Sequence, residues 1–246
     1  MAIQTFVETQ RRYYQAADPV HFDWQTSAPY FAETESALLR TVVAKPGDRL
    51  LEIGCGEGSN LFHLRSTEAV CFGVDFSTAK VAFAHRATGI HAAAADAAAL
   101  PFASSSFDAV LIRDLLHHLP DPAAALAEAR RVLRPGGGLT LIEPNAKSPL
   151  VLLQATAIKA ERGLFHSFAK RLQGLLEEQG FAIQRCETLQ PFPVARVLLH
   201  PKIGLPTLGK WPLIAQGLSL FDRIAARLVP RPGWMYLLFH ARSPTR

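Results

Sequence analysis

Along the chain, apolar positions follow two rhythms. Short unbroken runs that end at glycine or a turn behave as buried parallel strands do, and longer stretches with apolar residues three or four apart behave as helices do. The first unbroken run is Arg49 to Ile53, entered from the turn Lys45-Pro46-Gly47-Asp48. The two signals then alternate: a strand at Val70 to Val74, a helix at Ser77 to Thr88, strands at His91 to Ala95 and Phe107 to Ile112, a helix at Pro122 to Leu133, and a strand at Leu139 to Ile142. Two more helices follow, near Leu150 to Ala160 and His166 to Gln179, then a strand from Phe181 to Leu189 and a last one at Met235 to His240. This alternation predicts an α/β fold with a doubly wound sheet.

Local signals agree with the pattern. Ser77 and Asp121 stand where N-caps belong, Pro122 occupies a first helical position, and Pro135-Gly136-Gly137-Gly138 stops a helix before the next strand. Two helical stretches, Ile3 to Ala16 and Phe31 to Ala44, flank the aromatic-rich segment His21 to Tyr30 and read as a cap or lid ahead of the sheet. Between the last two strands the pattern breaks, because Pro191 to Trp234 holds seven prolines (191, 193, 201, 206, 212, 230 and 232) around one helical stretch, Leu213 to Val229. The 246 residues therefore read as one domain: an N-terminal helical cap over 1–45, a core over 46–190, a substrate-side insertion over 191–234, and the last strand and tail over 235–246.

Composition narrows the class. With 49% hydrophobic and 19% charged residues the chain is globular, with apolar content for a substantial core. Residues Met1 to Tyr14 contain no apolar run of the length of a signal peptide or membrane span, and Cys55, Cys71 and Cys186 match no metal-ligand spacing, so the expectation is a cytoplasmic protein with reduced thiols and no metal. The net charge of +5 is uneven: from Pro191 onward eight Lys or Arg (196, 202, 210, 223, 227, 231, 242 and 246) stand against one acid, Asp222. That quarter suits an anionic substrate or surface, but it lacks the dense basic and aromatic interleaving of a nucleic-acid groove.

The strongest chemical signal is Leu50-Leu51-Glu52-Ile53-Gly54-Cys55-Gly56-Glu57-Gly58, a buried strand running into glycines at alternate positions and then into a helix. Glycines there let backbone approach a ligand in a turn other residues enter only with strain, although a tight turn without ligand would use them too. The second strand ends in Asp75, twenty-one residues after Gly54, where a carboxylate can accept hydrogen bonds from both ribose hydroxyls of an adenosine cofactor. A helix N-terminal charge is the plainer account of Asp75. On these residues nicotinamide dinucleotide and S-adenosylmethionine are both open, and GxGxG rather than GxGxxG spacing tilts toward the second.

The sequence resembles the class I S-adenosylmethionine-dependent methyltransferases, in particular the small-molecule branch of the ubiquinone and menaquinone biosynthesis type. Leu51 to Gly58 is similar to that family's first motif, and Gly73-Val74-Asp75-Phe76-Ser77 to its ribose-binding strand end. The segment His91 to Phe102, with Asp96 before Leu100-Pro101-Phe102, resembles the adenine-recognising stretch; Phe107 to Val110, Leu115 to Leu119 and Arg134-Pro135-Gly136-Gly137 resemble the fourth strand and the helix and turn after it. The resemblance implies a Rossmann-like, seven-stranded sheet with the last strand antiparallel, and S-adenosyl-L-methionine as cofactor. By position, Gly54, Cys55, Gly56 and Gly58 would lie along the methionine portion with Glu52 near its amino group. Asp75 and Phe76 would flank the ribose and adenine edge, Asp96 and Ala97 would meet the adenine, and Arg113, Asp114 and His118 would close the pocket.

Methyl transfer is an in-line displacement on an activated sulfonium, so alignment and exclusion of water dominate. A hydroxyl or acidic-carbon acceptor benefits from a base, and the candidates are His117, His118 and His166, each of which also suits a pocket wall. Tyr13, Tyr14 and Tyr30 either close over the cofactor or pack the cap, and Glu143-Pro144-Asn145 either lines the acceptor pocket or forms a turn. The expected partner is a small molecule, phenolic, prenylated or lipid-like, and not nucleic acid. No Asn-Pro-Pro-Tyr or Asp-Pro-Pro-Tyr segment follows the fourth strand, where Arg113-Asp114-Leu115-Leu116 stands. The stretch Leu213 to Val229, with Ile214, Leu218, Phe221, Ile224 or Ala225, and Leu228 near one face, reads as a helix capping the site or as an interfacial helix resting on an anionic membrane. The sequence carries no signal on oligomeric state. A nicotinamide-dependent oxidoreductase and a catalytically inactive cofactor-binding subunit are the alternatives from other classes.

Overall fold

The computed structural model describes residues 3–191, 194–199 and 204–245; Pro193, Pro201, Lys202 and Arg246 lie outside the described residues. Seven strands, β1 (Arg49–Ile53), β2 (Val70–Asp75), β3 (His91–Ala94), β4 (Phe107–Arg113), β5 (Leu133–Pro144), β6 (Ala182–Leu189) and β7 (Tyr236–Arg242), form one sheet. Their order is β3-β2-β1-β4-β5-β7-β6, and β7 runs antiparallel to both neighbours. The expected Rossmann-like sheet with its last strand antiparallel is therefore present. The order reverses between β1 and β4, and ligand crevices in such sheets open at the carboxyl ends of the strands beside that reversal.

The helices are α1 (Ile3–Tyr14), α2 (Pro19–Ser27), α3 (Pro29–Leu39), α4 (Ser59–Leu64), α5 (Thr78–Thr88), α6 (Pro122–Val132), α7 (Pro149–Ala157), α8 (Ala169–Glu178), α9 (Val194–Leu198) and α10 (Pro212–Leu228). Side chains alternate across the pleat and so divide the core in two. Leu51, Ile53, Val110 and Ile112 join Leu126 and Ala129 of α6 and Leu172 and Leu176 of α8 on one face. On the other, Leu50 and Leu111 join Leu38 and Leu39 of α3 and Leu61 and Leu64 of α4. Ser77 and Asp121 cap α5 and α6 as their positions predict, accepting from the N–H groups of Lys80 and Ala124.

Three departures have physical causes. The segment between the first two expected helices contains α2, begun by the Asp18 N-cap and Pro19. Its buried residues Phe22, Trp24 and Thr26 fall two apart, which hides the helical period. The glycine run Pro135 to Gly138 belongs to β5 instead of preceding it: Leu133 pairs with Phe107 and Gly138 with Ala109, an irregular register with Gly136 at φ 74°. After α7 the chain forms a 3-10 stretch, Lys159–His166, so α8 begins three residues later than His166.

The cap and the insertion meet on one small core, where Trp24, Tyr30 and Phe31 pack with Ala195, Leu199, Ala215 and Leu218. No described helix is long and apolar enough to cross a membrane. All three cysteines are unpaired, Cys55 and Cys71 buried and Cys186 exposed.

One close approach fixes the 3-10 stretch against the sheet. A Cβ on Gly163 would stand 1.7 Å from the carbonyl oxygen of His117. Gly163→Ala is expected to lower stability by about 1–3 kcal/mol through overpacking, whereas Gly217→Ala in α10, whose Cβ meets nothing within 4 Å, should hold or raise it. Thermal melts of the two variants check the pair, and equal melting temperatures would refute the steric reading.

Candidate cofactor and acceptor site

The site is built where β1, β2 and β4 end. Gly54, Gly56 and Gly58 all have left-handed φ, at 80°, 51° and 82°, conformations open to glycine at no steric cost. A Cβ on Gly54 would press on Leu115 at 2.9 Å and one on Gly58 on Ala84 at 3.1 Å. On Gly56 the nearest atom is Lys80 Nζ at 4.0 Å, so this glycine alone of the three faces open space. The N–H groups of Gly54 and Cys55 donate to the Val74 carbonyl, which ties the loop to β2. The Cys55 thiol lies against Gly73 and donates to the Gly56 carbonyl at 3.8 Å, and burial pushes its pKa up.

Asp75 joins the two strand ends. Its carboxylate accepts from the N–H of Gly56 at 3.0 Å and of Ser77 at 2.9 Å, while burial pushes its pKa upward. Beside it Phe76 is 44% exposed, Asp96 is exposed with Oδ1 accepting from the Ala98 N–H, and Ala97 packs on the core edge. The glycine loop, Asp75, Phe76, Asp96 and Ala97 thus share one edge of the sheet.

Glu52 lies within β1 and is fully buried. One oxygen accepts from Asn60 Nδ2 at 2.5 Å and the other has no partner; burial raises its pKa to about 7. Asn60 in turn accepts from Arg113, a residue expected at the pocket wall. In the structure Arg113 is buried and turned toward the cap: it pairs with Glu35 of α3 at 2.5 Å, with Asp114 at 3.3 Å, and Glu35 also binds Arg196 of α9. Burial pushes the Glu35 carboxyl up, but the two guanidinium groups outweigh it and hold the pKa at about 2. Arg113 is therefore a tie between sheet, cap and insertion. Asp114, with φ 51° and its carboxylate accepting from Tyr236, stands at the turn after β4.

The candidate bases separate sharply. Glu143, fully buried at the end of β5, accepts from the N–H groups of Leu115 and Leu116, both at 2.8 Å, and bonds His117 Nδ1 at 2.7 Å. Glu161 faces the other nitrogen of His117 at 3.5 Å. Burial lowers the His117 pKa, yet the two carboxylates prevail and hold it near 10, so at neutral pH this ring is an imidazolium without a lone pair to accept a proton. His118 is driven the opposite way, to about 3, by burial and by the charged neighbour; its Nδ1 is buried without a partner and its ring lies 4.7 Å from that of Tyr14. His166 is exposed and lines a 20 Å³ cavity with His117, Glu143 and Ser167, apart from the glycine edge. One polar atom each from His117, His118 and Glu161 lies within 4.8 Å of the others, a cluster that no sequence spacing announced, but His117 as an imidazolium has no lone pair to offer a cation.

The cap is fastened across these ends. Tyr14 bonds Glu161, the Gln10 side-chain amide donates to the Ala160 carbonyl, Ser77 donates to the Gln15 carbonyl, and the Asp18 N–H donates to Glu57, which Lys80 pairs at 3.4 Å. Of the tyrosines, Tyr14 enters the site, Tyr30 is buried with its hydroxyl on Asp222, and Tyr13 is exposed. Glu57 sits inside the glycine motif and Glu143 beside a turn signal; Glu161, Glu35 and Asn60 carry no local signal.

Fold and site together define a Rossmann-like α/β domain with a glycine-and-carboxylate ligand edge at its switch point. Residues 51–141 match the family described as methyltransferase domain, so the resemblance to class I methyltransferases holds for this part of the chain. An uncharacterised protein of Mycobacterium tuberculosis is 36% identical over 190 residues, covering 74% of this chain and 64% of its own. Demethylmenaquinone methyltransferase of a Mycobacterium species is 41% identical over 98 residues, covering 40% and 42%. Geranyl diphosphate C-methyltransferase from Streptomyces coelicolor superposes with a TM-score of 0.65 at 15% identity, over 97% of this chain and 98% of that one. The chain spans 64% and 42% of the length of those two curated relatives.

The His117 clamp is titratable. Because its folded pKa lies above the ordinary value near 6.5, the stability it contributes is full below about pH 6.5 and is lost as pH rises toward about 10. NMR titration of the ring resonances should show His117 charged and His118 neutral from pH 6 to about 9; a His117 midpoint near 6.5 would refute the clamp.

Proposed function

We propose that this protein transfers the methyl group of S-adenosyl-L-methionine to a small-molecule acceptor, phenolic, prenylated or lipid-like. The observation that carries this reading is the bond from the Gly56 N–H to Asp75 inside the matched residues 51–141, which brings the open glycine and the strand-end carboxylate together. The residues fit the cofactor. Space lies over Gly56, Asp75 retains acceptor lone pairs for ribose hydroxyls beyond its two amide bonds, and Phe76 offers an exposed ring face beside Asp96 and Ala97 for an adenine.

The cofactor, when bound, supplies a methyl group already activated on a sulfonium. What the chain adds is position and a dry site, since the cap bonds through Tyr14, Gln15 and Asp18 span the strand ends. For an acidic hydroxyl or carbon acceptor, His118 is the proposed base on geometry: its buried Nδ1 has no partner and keeps a lone pair, while burial and the charged His117 beside it make it a weak base. His117 as imidazolium holds Glu143 and Glu161 in place beside it. His166 has no such setting and is proposed as cavity wall. The names of two relatives, on a demethylmenaquinone and on geranyl diphosphate, support an acceptor with an extended apolar part.

Calorimetric titration with S-adenosylmethionine and its demethylated product tests the cofactor. Wild type should bind both, and Asp75→Ala should weaken them at least about tenfold, as loss of charged hydrogen bonds does. Absence of binding by the wild type overturns the proposal. With an acidic hydroxyl acceptor in hand, His118→Ala should lower kcat at least about tenfold, toward the low end of general-base contributions because its basicity is depressed; full activity in that variant would remove the base.

A further inference from the structure

Half of the large apolar side chains that stand exposed among the described residues belong to one stretch, Leu198 to Leu228. Within α10 they form a line. Leu213, Leu220, Phe221, Ile224 and Leu228 are all exposed, Leu213 at 79% and Leu228 at 76%, and at 3.6 residues per turn their spacing keeps them within about a third of the helix circumference. Trp211, also exposed, is the N-cap of this helix. The opposite side of the same helix is spent on the fold: Ala215, Leu218 and Ala225 are buried and Asp222 accepts from Tyr30. The helix therefore carries two apolar stripes, and only one of them has a partner within the chain.

Charge decides what the second stripe meets. Lys210, Arg223, Arg227 and Arg231 are exposed around it, with Arg223 and Arg227 on the turns beside its edge, and the acid of this helix, Asp222, points inward. A second copy docked on this face would bring those cations onto each other with no acid from α10 between them. A bilayer with anionic headgroups answers both features, since it takes an apolar stripe about 5–10 Å deep and sets phosphates against flanking Lys and Arg. The indole of Trp211 suits the headgroup boundary.

We infer that the exposed face of α10 is an interfacial surface that docks the protein on an anionic membrane. The docked helix is one layer from the site, because it packs on α3 and α3 carries Glu35, the partner of Arg113 at the end of β4. A surface placed there would admit an acceptor with a long apolar part directly from lipid. That last step rests on the proposed methyl transfer; the docking surface does not.

Sedimentation of the full chain with phosphatidylcholine vesicles, with and without phosphatidylglycerol, tests the surface with no cofactor present. The expected result is at least about tenfold more protein bound to the anionic vesicles, released by high salt. The exposed pair Leu220→Glu with Ile224→Glu should leave the protein in the supernatant at an unchanged melting temperature, and Arg223→Glu with Arg227→Glu should abolish the preference for anionic lipid. Wild-type protein left in the supernatant with both vesicles overturns the inference. So does a wild-type dimer in light scattering that the Leu220, Ile224 pair converts to monomer, which would make the face a seam between copies. Either failure leaves the cofactor titration, and the methyltransferase reading, standing.

Discussion

A carboxylate with no access to water is stable only where hydrogen bonds and charge replace its hydration, and Glu143 meets that demand by fixing the parts around it. Its oxygens take the N–H groups of Leu115 and Leu116 and the ring of His117, so the crossover after β4 has one geometry. His117, kept charged by that contact, reaches Glu161 on the 3-10 stretch, and Glu161 takes the hydroxyl of Tyr14 from α1. One buried acid thereby sets the turn below the site, the wall beside it and the helix above it. Gly163 belongs to the same constraint, because only a residue without Cβ lets the 3-10 stretch come against the His117 carbonyl.

A second chain of charge does similar work on the other side of the sheet. Glu52, Asn60, Arg113, Glu35 and Arg196 link β1, α4, β4, α3 and α9 in sequence, so the cap and the insertion are held to the strand ends by polar contacts as well as by the shared core around Trp24 and Phe31. Removing one member of such a buried set costs more than the bond it made, since its partner is left charged in an apolar setting. The N-terminal helices and the segment before the last strand are in this way keyed to the sheet at named side chains.

Much of this is legible in the amino-acid sequence, for a definite reason. The strands themselves, the glycine loop and Asp75 depend on local patterns: apolar runs ending at glycine, φ values open to glycine, and a carboxylate at the end of the next strand; the antiparallel last strand is implied by the family resemblance. The pairings of Tyr14 with Glu161, Arg196 with Glu35 and Tyr30 with Asp222 span 147, 161 and 192 residues, and no local pattern marks them. Arg113 reads as pocket wall because its position after β4 is local while its partners are not. The same applies to α10, where the spacing reveals amphipathic character but only one apolar face; the fold shows two, and Leu218 and Phe221 lie on different ones.

Electrostatics at the ligand edge point in one direction. Burial pushes the carboxyl groups of Glu52, Asp75 and Asp114 upward, and each stands close enough to another acid in this set to be raised further by it or to raise it. Arg113 and Lys80 relieve part of this, but Arg113 is already matched by Glu35 and Lys80 by Glu57. These acids therefore hold their ionised forms less readily than free carboxyls do, and one Glu52 oxygen is unbonded. A ligand that brings positive charge to that place, as a sulfonium with its amino group does, lowers the energy of every acid present, whereas a dinucleotide pyrophosphate would add to the repulsion. The sign of the field at the loop, independent of the glycine spacing, therefore favours the sulfonium cofactor.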